Sequence, residues 1–282
     1  MTRAEGLTRG ASGAPTSAGM LVLSYTPRER TRALARAALP RRLGRVVHAR
    51  SADEFAALFR AELVDVALVD ISAPGEQTLR ATQLAREYPS VTFFGLAPYR
   101  SVDAPMIALC AELDYADVLA EGVDESVLRH AVATQGYSAR FARALHDPPS
   151  ALALTLPVQL ATWRQIVARG GRPVRTAELA RALGVTREHL SRSFAPASAP
   201  NLKRVIDLVR LVAAADLCKN PGYDVRDVAH VLGFASSSHL STAAHRVVGT
   251  SPASLARLRM GDLVERFARG RGRSRRRGAG SE

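Results

Sequence analysis

The sequence predicts two parts, an α/β domain built on a doubly wound, five-stranded parallel sheet and then an all-helical domain. Three observations carry that expectation. Between residues 20 and 145, five short apolar runs alternate with helix-period stretches, the pattern of a parallel sheet covered on both faces. Beyond residue 158 the short runs stop and only helical periodicity continues. The charge divides at the same place. Residues 1–147 hold 17 basic and 17 acidic side chains, so the whole net charge of +13 belongs to residues 148–282. A length of 282 residues suits about two domains.

Taken in order, residues 1–19 are rich in Gly, Ala, Ser and Thr and read as disordered. Strands are expected at 20–25 (MLVLSY), 45–49 (RVVHA), 64–71 (VDVALVDI), 91–95 (VTFFG) and 115–119 (YADVL). Helices are expected at 27–38, 51–61, 76–88, 103–111 and 124–145. Ser51 with Glu54 forms a capping box, and Asp124 opens the last helix. That helix, DESVLRHAVATQGYSARFARAL, is long and amphipathic enough to pair with a copy of itself, or it covers the sheet. The α/β domain is thus placed at 20–146, and DPPSALALTLP breaks the pattern as a linker over 147–157. The helical domain is placed at 158–260, with helices near 158–169, 176–183, 187–195, 201–219, 225–232, 236–247 and 252–260. An Arg-rich tail, 261–282, reads as disordered, with seven arginines in 266–277 that could add salt-sensitive, sequence-independent affinity for DNA.

No apolar run approaches the ~18 residues needed to span a bilayer. The N-terminal stretch lacks the apolar core of a secretory signal, so the chain reads as cytoplasmic. Cys110 and Cys218 stand far apart in apolar helical contexts and read as buried thiols. A half-chain this basic suggests a polyanionic partner, nucleic acid first and a membrane surface second.

Two segments of the helical half share one plan: TAELARALGVTREHLSRSF (176–194) and DVRDVAHVLGFASSSHLSTAAHR (224–246). Each has a short helix, a Gly at a tight turn (Gly184, Gly233) and a second helix capped by Thr186 or Ser236. This is the helix-turn-helix plan, whose second helix enters the DNA major groove. The spacer NLKRVIDLVRLVAAADLCKN (201–220) has no Gly or Pro and reads as one helix of about 20 residues, about 30 Å long. That roughly matches the ~34 Å between successive major-groove faces, so a single rod could hold both units without a dimer.

Residues 158–257 resemble the AraC/XylS transcription-regulator DNA-binding domain. The matching residues are LARALGVTREHLSRSF, Arg210-Leu211 of the spacer helix, and Gly233-Phe234, Ser238, Gly249 and Pro252. Departures are Leu240 and Ala244, where the family places aromatics, Ala199 in place of a glycine, and a closing arginine one place late at Arg257. Ala244 leaves the second unit's core underfilled unless a neighbour compensates. The candidate DNA contacts are Arg187, Glu188, Ser191 and Arg192 on the first recognition helix, with Leu190 and Phe194 inward. On the second they are Ser236, Ser237, Ser241, Thr242, His245 and Arg246, short side chains suited more to backbone anchoring. His239 and His245 have no Cys or carboxylate beside them and read as exposed histidines rather than metal ligands.

Residues 20–145 resemble a response-regulator receiver domain, with VDVALVDISAPG (64–75) placing Asp70 as the candidate phosphoacceptor. In that family the transfer requires Mg²⁺ held by acids after the first strand, a hydroxyl residue after the fourth and a lysine after the fifth. Here those places hold Ser24 and Tyr25, Gly95 and Leu96, and Glu121 with Gly122. The resemblance therefore implies a degenerate receiver in which Asp70 is a strand-end relic. No Gly-rich phosphate loop or nucleophile–base cluster appears, so no catalytic residue, cofactor or metal is assigned.

The sequence thus reads as a bacterial, sequence-specific transcription regulator and not an enzyme. Its partners are double-stranded DNA, with a homodimer through the receiver-like half and RNA polymerase as further candidates, and no membrane. The alternatives are a phosphorylation-gated response regulator and a protein-interaction scaffold with weakened DNA binding.

Overall fold

Five parallel strands form one sheet: β1 (Met20–Tyr25), β2 (Gly44–Ala49), β3 (Val66–Asp70), β4 (Thr92–Ala97) and β5 (Asp117–Ala120), in the order β2-β1-β3-β4-β5. The computed structural model describes residues 19–122, 125–195 and 200–278, with side chains as far as residue 270. Residues 1–18, Asp124 and Ala199, which carried expectations above, lie outside the described residues. The strand order reverses between β1 and β3, which is the switch point where doubly wound sheets carry their sites.

The sheet is covered on both faces. α1 (Glu29–Ala37) and α5 (Glu125–Gln135) bury Ala35, Leu128 and Val132 against Val22, Val66, Leu68 and Phe94. α2 (Ala52–Ala61), α3 (Glu76–Gln83) and α4 (Ala104–Glu112) cover the other face with Phe55, Phe59, Ala81 and Cys110. Ser51 accepts from the Glu54 amide at 3.1 Å, and the Glu54 carboxylate accepts from the Arg50 amide at 2.7 Å, so the capping box closes one residue early.

The long helix expected over 124–145 is broken. α5 ends at Gln135, and α6 (Tyr137–Ala144) starts after Gly136. Asp65, just before β3, causes the break: its Oδ1 accepts from the Ser138 amide at 2.9 Å and its carbonyl from the Tyr137 amide at 2.9 Å. The aspartate caps α6 from outside the helix. α6 then packs on the helical half, so this helix is no self-pairing rod.

The helical half comprises α7 (Pro157–Val167), α8 (Thr176–Ala182), α9 (Arg187–Ser193), α10 (Leu202–Leu217), α11 (Val225–Val231), α12 (Ser237–Val248), α13 (Pro252–Leu255) and α14 (Met260–Gly278). The segment after 260, expected as disordered, opens as α14, with Leu263, Val264 and Phe267 buried against α10 and α12. The expected linker also carries buried anchors, Leu152 and Leu154.

The two halves share one continuous core. Phe93, Phe59 and Tyr88 stack in sequence, with Phe59 and Tyr88 rings 4.3 Å apart, and Tyr223 meets Tyr88 edge-on at 5.0 Å. Gly222 lies so close that a Cβ there would meet the Tyr88 ring at 2.6 Å. The Asn220 side chain accepts from the Ser90 amide at 2.8 Å, and Trp163 donates Nε1–H to the Leu145 carbonyl at 2.7 Å. The helical half thus docks at the N-terminal edge of the sheet, leaving the C-terminal edge, with Asp70, on the far side.

Candidate nucleic-acid interface

Each helix-turn-helix unit forms where its sequence plan placed it. Gly184 and Gly233 close the turns at φ +66° and +64°, and a Cβ at Gly233 would also press on Pro173 at 3.0 Å. Thr186 accepts from the His189 amide and Ser236 from the His239 amide, both at 3.1 Å, capping α9 and α12. Leu190, Phe194 and Leu240 are buried, which fixes the outward face of each second helix.

On α9 that face presents Arg187, Glu188, Ser191 and Arg192, all exposed. Among the described residues neither arginine has an intramolecular hydrogen bond or ion pair. On α12, Thr242, His245 and Arg246 are exposed, Ser237 and Ser241 are half-buried, and the Ser236 hydroxyl serves as the cap. Arg246 is committed to the fold through Asp207 of α10, Nη2 to Oδ2 2.8 Å. Among the described residues the two helices therefore differ: α9 offers two free guanidiniums and α12 offers none.

A groove of about 390 Å³ lies between the units, lined by Ser191 of α9, Arg246 of α12 and Lys203, Arg204 and Asp207 of α10. Lys203 and Arg204 were missed at the sequence level. They sit in the first turn of α10, where cations oppose the helix dipole, and that misfit with local preference was the available signal. α10 is shorter than expected, sixteen residues and about 24 Å. Asn201 caps it, accepting from the Arg204 amide at 2.9 Å. Arg210 pins the rod to the second turn: its guanidinium lies 3.9 Å over the Phe234 ring and donates to the Leu232 carbonyl at 2.9 Å. Burial pulls its pKa below the ordinary arginine value, partly offset by Asp207.

The helix-turn-helix domain family matches residues 179–257. Residues 179–257 are an AraC-type helix-turn-helix domain. A domain of this type implies DNA binding and transcription regulation. The site expected to be underfilled at Ala244 is covered: Leu240 and Ala244 are fully buried, and α14, which carries the buried Phe267, packs on α12. A search of the curated proteins finds no match. Similar solved structures include a response regulator from Burkholderia pseudomallei with a phosphorylated aspartic acid, calcium ion and citrate. It is 20% identical over 63% of this chain and 99% of that chain, with a TM-score of 0.35. Full-length FixJ from B. japonicum is 12% identical over 85% of this chain and 98% of that chain, with a TM-score of 0.35. Likeness at that level carries no argument beside the sheet order itself.

The half preceding the AraC-type domain has the receiver-like sheet, with Asp70 at the C-terminal end of β3 and fully buried. Arg28, from the loop after β1, clamps it: Nε to Oδ2 2.8 Å and Nη2 to Oδ1 2.5 Å. Thr31 Oγ1 donates to Oδ2 at 2.7 Å and the Ser72 amide to Oδ1 at 3.2 Å. The same guanidinium pairs with Glu121, so one cation is held between two carboxylates. Asp70 and Glu121 keep Arg28's pKa above the ordinary arginine value. Nearby, Ser24 Oγ is engaged with His48 Nδ1 at 2.6 Å. Magnesium asks for several oxygen ligands, and here a guanidinium fills the place beside Asp70. These residues do not fit the ion. Among the described residues no group of three His, Cys, Asp or Glu side chains could hold a metal, and no helix is long and apolar enough to cross a membrane. Cys110 and Cys218 are free; Cys110 is buried as expected and Cys218 only half-buried, and burial pushes their thiols up to about 12 and about 11.

Proposed function

We propose that this regulator reads a specific DNA sequence with α9 and anchors to the backbone with α12, the two helices entering successive major-groove faces. The observation that carries the reading is the pair of exposed arginines, Arg187 and Arg192, without a partner among the described residues, on the outward face of a capped recognition helix. An arginine free of intramolecular partners can pair bidentately with guanine, worth about 1–3 kcal/mol of base discrimination. Lys203 and Arg204 supply phosphate contacts between the units, where each neutralised phosphate adds about one unit to the salt slope. Genomic footprinting followed by titration of the recovered site tests this. Arg187→Ala and Arg192→Ala are expected to lower specific affinity about tenfold or more while leaving binding to random DNA nearly unchanged. Equal losses on specific and random DNA would favour a nonspecific binder, and no protected site at all would favour an interaction scaffold.

The receiver-like half, in the same proposal, acts as a docking module and not as a phosphorylation switch. The Arg28 clamp supports this, since both carboxylate oxygens of Asp70 already accept hydrogen bonds in a buried site. Incubation with Mg²⁺ and acetyl phosphate should leave the intact mass unchanged. A phosphoryl adduct lost in Asp70→Asn would sink this part. Homodimerisation through this half would use a face other than α6, which is already packed on the helical half. The chain acts by binding DNA and partners, RNA polymerase among them, without a catalytic step.

A further inference from the structure

At the seam between the halves lies a cavity of about 400 Å³, within the range of small-molecule sites. Its walls are Tyr137 and Phe141 of α6, Val212 and Asp216 of α10, and Leu263 of α14, with Ser90 at the sheet side. It lies away from both α9 and the Asp70 edge. Two residues of its lining carry a hydroxyl that the fold leaves over. Among the described residues, the hydroxyls of Tyr137 and Ser90 are buried and have no hydrogen-bond partner, and Tyr137 is only 2% exposed. An unpaired buried hydroxyl is unfavourable, and a ligand acceptor would relieve it. Burial, with Asp216 adding to it, raises the Tyr137 phenol well above its ordinary value, so this group stays a proton donor.

The charges on the lining have a sign. Arg140 and Lys219 face one carboxylate, Asp216, and Lys219 is only loosely paired to it at 3.7 Å. Arg140 spends one N–H on the Ser90 carbonyl and keeps others free. The site is therefore apolar with one uncompensated positive charge and a waiting phenol donor. We propose that this seam binds a small monoanionic amphiphile, its apolar body against Phe141, Val212 and Leu263 and its acid group accepting from Tyr137 Oη and from Arg140 or Lys219. Because the walls come from α6, α10 and α14, such a ligand would bridge the receiver-like half to the rod that carries both helix-turn-helix units. An effect on DNA affinity rests on the DNA-reading proposal above, whereas the site itself does not.

The test uses the full chain with two probes, octanoate and 4-phenylbutyrate, and 4-phenylbutanamide as the uncharged counterpart of the second. Binding is read by calorimetry and by the fluorescence of Trp163, the one tryptophan in the sequence, whose indole donates to Leu145 on the cavity wall. At least one acid should bind one-to-one with Kd below about 1 mM, and the amide about tenfold or more weaker. Arg140→Gln and Tyr137→Phe should each weaken the acid severalfold, and Ala144→Phe, at an exposed position on the lining, should block it. Tyr137→Phe removes a hydroxyl the fold does not use, so it should leave the thermal midpoint unchanged or raised. The proposal is overturned if neither acid saturates below about 10 mM, or if binding persists unchanged in Arg140→Gln and Ala144→Phe. Binding that survives together with loss of DNA recognition would leave the site standing and refute only the DNA reading.

Discussion

Arg172, in the loop between α7 and α8, donates Nη2 to Asp65 Oδ2 at 2.7 Å, across the seam between the two halves. The aspartate is fully buried and also accepts from the Leu21 amide at 2.8 Å and the Ser138 amide at 2.9 Å. Arg172 makes two further bonds into the receiver-like half, to the Leu63 carbonyl and the Ser138 hydroxyl. Removing one partner of a buried pair strands the other charge, at about 3–5 kcal/mol. Arg172→Ala is therefore expected to lower unfolding stability by about that amount. Arg172→Lys should fall in between, keeping the charge and losing the fork. Urea unfolding followed by circular dichroism checks both, and an effect under about 1 kcal/mol for Arg172→Ala would show the seam is held by the aromatic stack alone.

The other aspartate of VDVALVD, Asp70, depends on Arg28 at the opposite end of β3. Arg28→Ala would leave the buried Asp70 without its cation and Glu121 with only the longer Arg30 contact at 3.6 Å. The expected cost is again about 3–5 kcal/mol. Adding Glu121→Gln to Arg28→Ala should return part of it by removing the like-charge neighbour, and Glu121→Gln alone should cost less than Arg28→Ala. Thermal melts of the three variants measure this. No recovery in the double variant would mean Glu121 does not feel the same site.

A pH-dependent contribution sits beside that edge. The Asp103 carboxyl lies at about 2, lowered mainly by the Arg100 guanidinium, with burial opposing and the Arg100 amide assisting. A folded value below the ordinary 3.8 means the carboxylate stabilises the fold above that pH. The contribution is lost as pH falls from there through about 2. Titration of the Asp103 carboxyl carbon by NMR should show the low midpoint, and Arg100→Gln should move it up towards 3.8. An unchanged midpoint in that variant would assign the shift to backbone donors.

Much of this was legible in the sequence because the deciding forces are local. Apolar runs gave the strands, and a Gly between two short helices with Ser or Thr after it gave both turns. What escaped notice was set by partners distant in sequence. The helical period runs unbroken through 124–145, and only the Asp65 carboxylate, arriving from before β3, ends α5 at Gln135 and caps α6. Arg28 was invisible for the same reason: a loop cation has no periodicity, and its pairing with Asp70 and Glu121 exists only once three strand ends meet. The tail was a misreading of another kind. Its Gly and Arg content masked Leu263, Val264 and Phe267, whose three- and four-residue spacing is an apolar stripe.

That stripe changes what a truncation can report. Phe267 is fully buried in the core that holds Leu240 and Ala244, and Arg204 stacks on its ring at 4.9 Å. Phe267→Ala should destabilise the chain by about 3–5 kcal/mol, the usual cost of emptying a buried aromatic site. A deletion from residue 261 would then weaken DNA binding through unfolding, whatever its arginines do. Deleting from residue 271 keeps the stripe, and should lower affinity for random DNA in low salt while sparing site selectivity. Unfolding curves run beside the binding assays separate the two effects.

Asp207 holds Arg246 against α10 and so subtracts one cation from the face of α12. Asp207→Asn releases that guanidinium and removes a negative charge from the groove shared with Ser191, Lys203 and Arg204. Affinity for random duplex should rise, and the dependence of log affinity on log salt should steepen by roughly one unit. Arg246→Gln should change specific binding much less than Arg187→Ala or Arg192→Ala, because its side chain starts from a paired state. Fluorescence anisotropy over a potassium chloride series reads both. If Arg246→Gln proved as damaging as Arg187→Ala, DNA would have to displace Asp207, and α12 would join α9 as a reader of bases.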